Sequence, residues 1–124
     1  MDSATRERIR ARAMHRCEYC LLPEGATPFV PFHVEHIIAK QHAVDDSLDN
    51  LALACDRCNA FKGPNLTSID PESREVVMLF HPRHDHWELH FWLDGARIVG
   101  LTSQGRATVR LLQFNARRRV ALRE

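Results

Sequence analysis

Two cysteine pairs, Cys17-x-x-Cys20 and Cys55-x-x-Cys58, carry the most specific chemistry in the chain. A thiolate is a soft anionic donor, and two knuckles of this spacing can offer four of them to one tetrahedral Zn²⁺. Four protein ligands leave no open coordination position, so such a zinc shapes the fold and does not handle substrate. The competing uses are a thioredoxin-like redox pair and free core cysteines. A redox protein needs only one pair, and a reducing compartment favours metal over disulfides. Between the knuckles lie 34 residues, more than the about 15 to 20 of the simplest four-cysteine pattern, so something folded must sit between them.

That insertion and its borders hold a second constellation: His33, Glu35 and His36 close together, Asn50 before a short apolar run, and Asn59 with Lys62 just after the last cysteine. An imidazole, whose ordinary pKa is about 6.5, can accept a proton near neutrality. Carboxylate and amide oxygens favour a hard ion, Mg²⁺ or Mn²⁺, over a second zinc. His33 shares a strand face with Glu35 and could join as a nitrogen ligand. Taken singly, these residues are a satisfied histidine, a surface carboxylate and two helix-capping asparagines. Their joint placement around two knuckles is what points to a site.

The elements that must position them follow from pattern. Residues 3–15 lack Gly and Pro and are rich in Arg and Ala, which predicts a helix opened by Asp2 or Ser3 and running into the first knuckle. Pro23, Gly25, Pro28 and Pro31 mark a loop, residues 32–38 a strand, and residues 43–50 a polar loop. The apolar run 51–54 is a strand or the approach to the second knuckle. After Cys58 a short helix runs through Asn59 and Lys62 until Gly63 and Pro64 stop it. Further on, residues 76–80 and 87–92 read as strands, with Asp94-Gly95 a tight turn into a strand over 96–101. Residues 103–115 read as a helix with Val109, Leu111, Leu112 and Phe114 inward and Arg106 and Arg110 outward.

Three segments, Val34-Glu35-His36-Ile37-Ile38, Asn50-Leu51-Ala52-Leu53-Ala54-Cys55, and Cys58-Asn59 with Lys62-Gly63, together resemble the HNH endonuclease (ββα-metal, His-Me finger) family. The resemblance covers about residues 12–66, in motif order, spacing and both knuckles; the C-terminal half matches nothing in the core motif. It implies an α+β fold, a ββα-metal core stapled by a four-cysteine structural zinc, followed over about residues 67–124 by a strand layer and helix within one domain, 1–124. It further implies a metal-dependent endonuclease that hydrolyses phosphodiester bonds in nucleic acid, with DNA as the partner. His36 would be the general base, Glu35 and Asn59 the ligands of the catalytic divalent cation, and Asn50 the residue that holds the hairpin loop and orients the His36 ring. Lys62 would reach a phosphate oxygen. The chain departs from the common pattern in having Glu35 where many members have Asp and Asn59 where a final His often stands, an H-N-N form.

Two other functions remain open on the same residues. His33-x-Glu35 followed by Cys55-x-x-Cys58 approximates the signature of a zinc nucleobase deaminase, with His33, Cys55 and Cys58 as ligands and Glu35 as proton carrier, although Ala54 replaces the usual Pro and Cys17 and Cys20 go unused. A non-catalytic zinc module that binds nucleic acid would need no base at all.

Charge is partitioned along the 124 residues. Residues 1–20 carry a net +2, residues 21–96 a net −7 and residues 97–124 a net +6, which leaves +1 overall. Two basic ends around an acidic middle suit a polyanion held over a metal-binding centre, and equally suit solvated helix faces. The apolar runs are far shorter than the roughly 18 residues of a membrane span, and the Arg-rich start lacks a signal peptide's apolar core. The expected location is the cytoplasm. His81, His84, His86 and His90 form a second histidine cluster without a completing cysteine or carboxylate pattern, and Trp87 and Trp92 read as strand packing. The run Arg117-Arg118-Arg119 reads as a solvated end or a set of phosphate contacts.

Overall fold

The chain, described over residues 1–124 in a computed structural model, begins with helix α1 (Ser3–Arg12), capped by Asp2, whose side chain accepts from the Thr5 N–H at 2.7 Å. Met14 and His15 then adopt left-handed backbone angles (φ 57° and 56°). That turns the chain out of the helix and into the first knuckle three residues earlier than its composition suggests. Strand β1 (His33–His36) pairs antiparallel with β2 (Leu51–Ala54), placing Glu35 opposite Ala52 and His36 opposite Leu51. All four residues of β2 are buried, so this run is an inner strand. Helix α2 (Asp56–Lys62) starts at Cys55, whose sulfur accepts from the Cys58 N–H, and stops at Gly63. A strand, a strand and a helix thus follow one another from His33 to Lys62.

The C-terminal half forms two further hairpins and three helices. Strand β3 (Thr67–Ile69), which the sequence pattern did not reveal, pairs with β4 (Val76–Met78). β4 ends before Phe80 because the Phe80 N–H turns away to the Thr108 hydroxyl at 3.0 Å. Residues 87–90, expected as strand, are a short helix α3 (Trp87–His90). There the Trp87 indole N–H reaches back to the Tyr19 carbonyl at 2.8 Å, and this long-range bond outweighs local β-preference. Strand β5 (Phe91–Asp94) turns at Gly95, with φ of +61°, into β6 (Arg97–Gly100). Within β5 only Phe91 is buried, and Trp92 is 56% exposed, contrary to its expected packing role.

Helix α4 (Ser103–Leu111) is shorter than expected because Gln113 takes a left-handed angle and Asn115 folds back to bond both backbone groups of Ile98. It sits so close to the preceding layer that a Cβ at Gly105 would lie 2.1 Å from the His90 carbonyl oxygen. Helix α5 (Arg117–Arg123) closes the fold. One core cluster runs through the knuckle cysteines, Tyr19, β2, Phe80, Phe91, Ile98, Leu112 and Phe114, so both halves of the chain share it. No helix is long and apolar enough to cross a membrane.

Arg106, expected on the outer face of α4, instead forks onto the fully buried Asp70 at 2.9 and 2.8 Å. The guanidinium holds the Asp70 carboxyl well below the usual carboxylate range, helped by the Glu72 and Ser73 backbone N–H groups. A carboxyl whose folded value is depressed contributes stability above its unfolded range, about pH 4, and loses it as acid protonates the folded form. Arg106→Met is therefore expected to lower the thermal midpoint by several degrees at pH 7, with the deficit shrinking progressively below pH 4. Circular dichroism melts across that range would show an equal deficit at both ends if the pair were inert.

Candidate metal centre and nuclease-like site

The four cysteine sulfurs converge. Cys17, Cys20, Cys55 and Cys58 are all buried, and their ligand atoms lie within 4.8 Å of one another. In each knuckle the second cysteine's N–H points at the first one's sulfur, at 3.5 Å for Cys20 to Cys17 and 3.4 Å for Cys58 to Cys55. Zn–S bonds of about 2.3 Å in a tetrahedron put sulfurs about 3.8 Å apart, and Cys20 and Cys55 stand at 3.7 Å. Donor type, number and spacing therefore fit a structural zinc. His33 is not among these ligands; its Nε2 lies 3.2 Å from the Asp56 carboxylate. The metal set required of a deaminase is thus not assembled, and Cys17 and Cys20 are employed.

The hairpin hangs on this centre. Glu18, inside the first knuckle, brackets Leu53 of β2: its N–H donates to the Leu53 carbonyl at 2.9 Å and its carboxylate accepts from the Leu53 N–H at 2.7 Å. Arg83 from the C-terminal half pairs with the same carboxylate. Asn50, just before β2, is buried; its amide accepts from the Ile38 N–H at 2.9 Å and donates to the carbonyls of Ile38 at 3.1 Å and Asp45 at 2.8 Å. It closes the loop between the strands, which is the loop-holding part of its expected role. It makes no hydrogen bond to the His36 ring. The ring is held by Asp46, whose Oδ1 lies 2.7 Å from Nε2, while Nδ1 makes no hydrogen bond. That contact draws the Asp46 carboxyl below its usual range.

Neighbouring residues of a strand point to opposite sides, and Glu35 accordingly faces inward. It is 8% exposed. One carboxylate oxygen accepts from the Tyr19 hydroxyl and the other lies 3.9 Å from the Lys62 ammonium. Burial pushes the Glu35 carboxyl up to about 7, against the opposing pull of Lys62 and Tyr19. Lys62 is itself only 2% exposed and donates to the Ile37 carbonyl at 2.8 Å. The expected phosphate contact at Lys62 is therefore corrected: the side chain is spent inside, because the buried Glu35 needs a counter-charge more than solvent needs the ammonium. Asn59 is half-buried on α2, and its amide makes no hydrogen bond.

A divalent cation does not fit beside Glu35 in this arrangement. Both oxygens are engaged and an ammonium already supplies the positive charge. The four cysteines are also the one group of three or more metal-ligating side chains that come together. The second histidine cluster does not converge on a site either: His81 and His84 stack ring on ring at 3.9 Å, whereas His90 bonds Thr102.

Residues 17–65 match the family model described as HNH endonuclease. The match spans 49 of the 124 residues, and it is this segment that is similar to the family. No curated protein and no solved structure matches the chain. The HNH segment begins at the first ligand cysteine and ends just past α2, so it contains both knuckles, the hairpin and the helix. Three residues that bear on it escaped sequence reading: Asp46, Tyr19 and Arg119. Asp46 was one of several acids in a polar loop, and Tyr19 and Arg119 reach their partners only through the fold.

Removing one thiolate tests the centre. Cys17→Ser is expected to abolish stoichiometric zinc and cooperative unfolding, since such sites contribute on the order of 10 kcal/mol of apparent binding energy. Metal analysis together with urea unfolding checks this; retained zinc would point to a three-ligand site that does not use Cys17.

Proposed function

We propose that the protein is an endonuclease that hydrolyses phosphodiester bonds in DNA, with the whole chain acting as one unit and His36 as the general base. The observation that carries this reading is the His36–Asp46 pair at the rim of the HNH hairpin. With Nε2–H donating to the Asp46 carboxylate, the unengaged Nδ1 is the basic nitrogen, available to a water molecule. That nitrogen takes the proton as the water oxygen attacks phosphorus, the bond to the 3′-oxygen breaks, and the leaving alkoxide takes a proton from a solvent water. The products then carry 5′-phosphate and 3′-hydroxyl ends. Asp46 stabilises the imidazolium that forms, as a carboxylate behind a histidine does.

Glu35 and Asn59 are the ligands that the family resemblance implies for a Mg²⁺ or Mn²⁺ ion, but Tyr19 and Lys62 already occupy the Glu35 carboxylate, so the hydrolysis proposed here rests on His36 and Asp46. The buried Glu35–Lys62 pair favours one alternative, a zinc module that binds nucleic acid without cutting it. Exposed arginines at both ends, Arg6 and Arg8 on α1 and Arg110, Arg117 and Arg118 near the C-terminus, suit either reading by neutralising phosphates.

Plasmid cleavage with zinc-loaded protein and added Mg²⁺ or Mn²⁺ separates them. His36→Ala is expected to lower the cleavage rate by roughly 100-fold or more, with zinc content, circular dichroism and DNA affinity unchanged. Asp46→Asn should reduce the rate less and leave DNA binding intact. Cleavage at the wild-type rate by His36→Ala would remove this residue from the reaction, and binding without cleavage by the wild-type protein would favour the module.

A further inference from the structure

We propose that Arg119 is the outer clamp of the four-cysteine metal centre, a positioning residue that ties metal retention to the docking of the C-terminal helix. In sequence it sits in a run of three arginines that reads as solvated. Its neighbours Arg117 and Arg118 are exposed, but Arg119 is only 5% exposed. One arm of its guanidinium, Nη2, donates to the Cys58 sulfur at 2.8 Å and lies 3.5 Å from that of Cys55. The other arm, Nη1, donates to the carbonyls of Leu112 and Gln113, and the group lies over the Phe114 ring at 5.8 Å. The planar fork thus joins the sulfurs of the second knuckle to the turn that ends α4.

The electrostatics explain why an arginine belongs there. Four thiolates around a divalent zinc leave a net charge of −2 in a site with almost no solvent contact, and buried charge is costly unless paired and hydrogen-bonded. A guanidinium offsets half of that charge and stays charged in a protein interior. Its N–H groups draw electron density from the sulfurs of Cys55 and Cys58. The contact also fixes the positions of the Cys55 and Cys58 sulfurs around the metal.

Location adds a second role. A cavity of about 330 Å³ lies beside Cys55, lined also by Phe61, Arg118, Arg119 and Leu122. Cys55 and Arg119 both line this cavity, so a chelator entering it would meet the guanidinium beside the ligand sulfur. At seven residues, α5 is too short to hold itself together. It is anchored by Arg119 and by Arg123, which donates to the carbonyls of Ala96 at 2.7 Å and Phe114 at 2.6 Å. A contact that stabilises the bound metal must be stabilised by the metal in return. This coupling does not depend on whether the chain cuts nucleic acid.

The test follows zinc leaving the full-length, zinc-loaded protein into excess 4-(2-pyridylazo)resorcinol. Arg119→Met should release zinc about tenfold faster or more, Arg119→Lys at an intermediate rate, and Arg118→Met at the wild-type rate. In the cobalt-loaded protein, loss of the N–H···S bonds should move the sulfur-to-metal charge-transfer band to lower energy. A purely structural role for the helix would not shift that band. Release within twofold of wild type in both Arg119 variants, with the band unmoved, would overturn the proposal. Should Arg119→Met fail to fold, Arg119→Lys decides: wild-type release and an unshifted band overturn it, and faster release with a shift supports it.

Discussion

Four buried sulfurs must meet at one point, and this constraint organises the rest of the molecule. With 34 residues between the knuckles, bringing Cys17 and Cys20 to Cys55 and Cys58 closes a loop whose ends cannot separate. Strand β2 arrives at the second knuckle directly, and Glu18 of the first knuckle grips both backbone groups of Leu53. Asn50 then seals the opposite end of β2. The register of the hairpin is pinned from both sides, and a slip of one residue would exchange the inward Glu35 with the outward His36. Separation of these two residues to different sides is therefore a product of the clamp.

The C-terminal half, which shares no motif with the HNH core, completes that clamp. Arg83 neutralises Glu18, Trp87 bonds the Tyr19 carbonyl, and Arg119 reaches the sulfurs themselves. Each contact lands on a knuckle and none on the hairpin loop that carries Asp46. Asp46 stays exposed there, and part of the His36 side chain faces solvent. A precise scaffold with an open edge suits a long, charged substrate better than an enclosed pocket would.

Legibility in the sequence depended on how local each interaction is. The knuckle spacing, the cap offered by Asp2, the stop at Gly63 and the turn at Gly95 are short-range, and they read correctly, whereas the second helix starts at Asp56, before Cys58 rather than after it. The first four residues of the strand expected over 87–92 became a helical turn, while Phe91 and Trp92 are strand; Trp87 answers to Tyr19, 68 residues away. Lys62 lay one helical turn past Asn59, a spacing equally suited to phosphate or to Glu35. The burial of Glu35 decided between them. Arg106 and Arg119 looked like outer-face charges until Asp70 and the thiolates were found beneath them.

Residue order by itself determined that two cysteine knuckles flank an HNH hairpin and helix in an α+β chain, because those features are set by spacing and by short-range backbone preference. Only the tertiary structure decided which charges are paired inside and which face water: Glu35 with Lys62, Asp70 with Arg106, the sulfurs with Arg119, and His36 with Asp46. The reason is physical. Helix and strand preferences act over a few residues, whereas the cost of burying a charge depends on every group the fold brings near it, and a linear sequence does not specify that company.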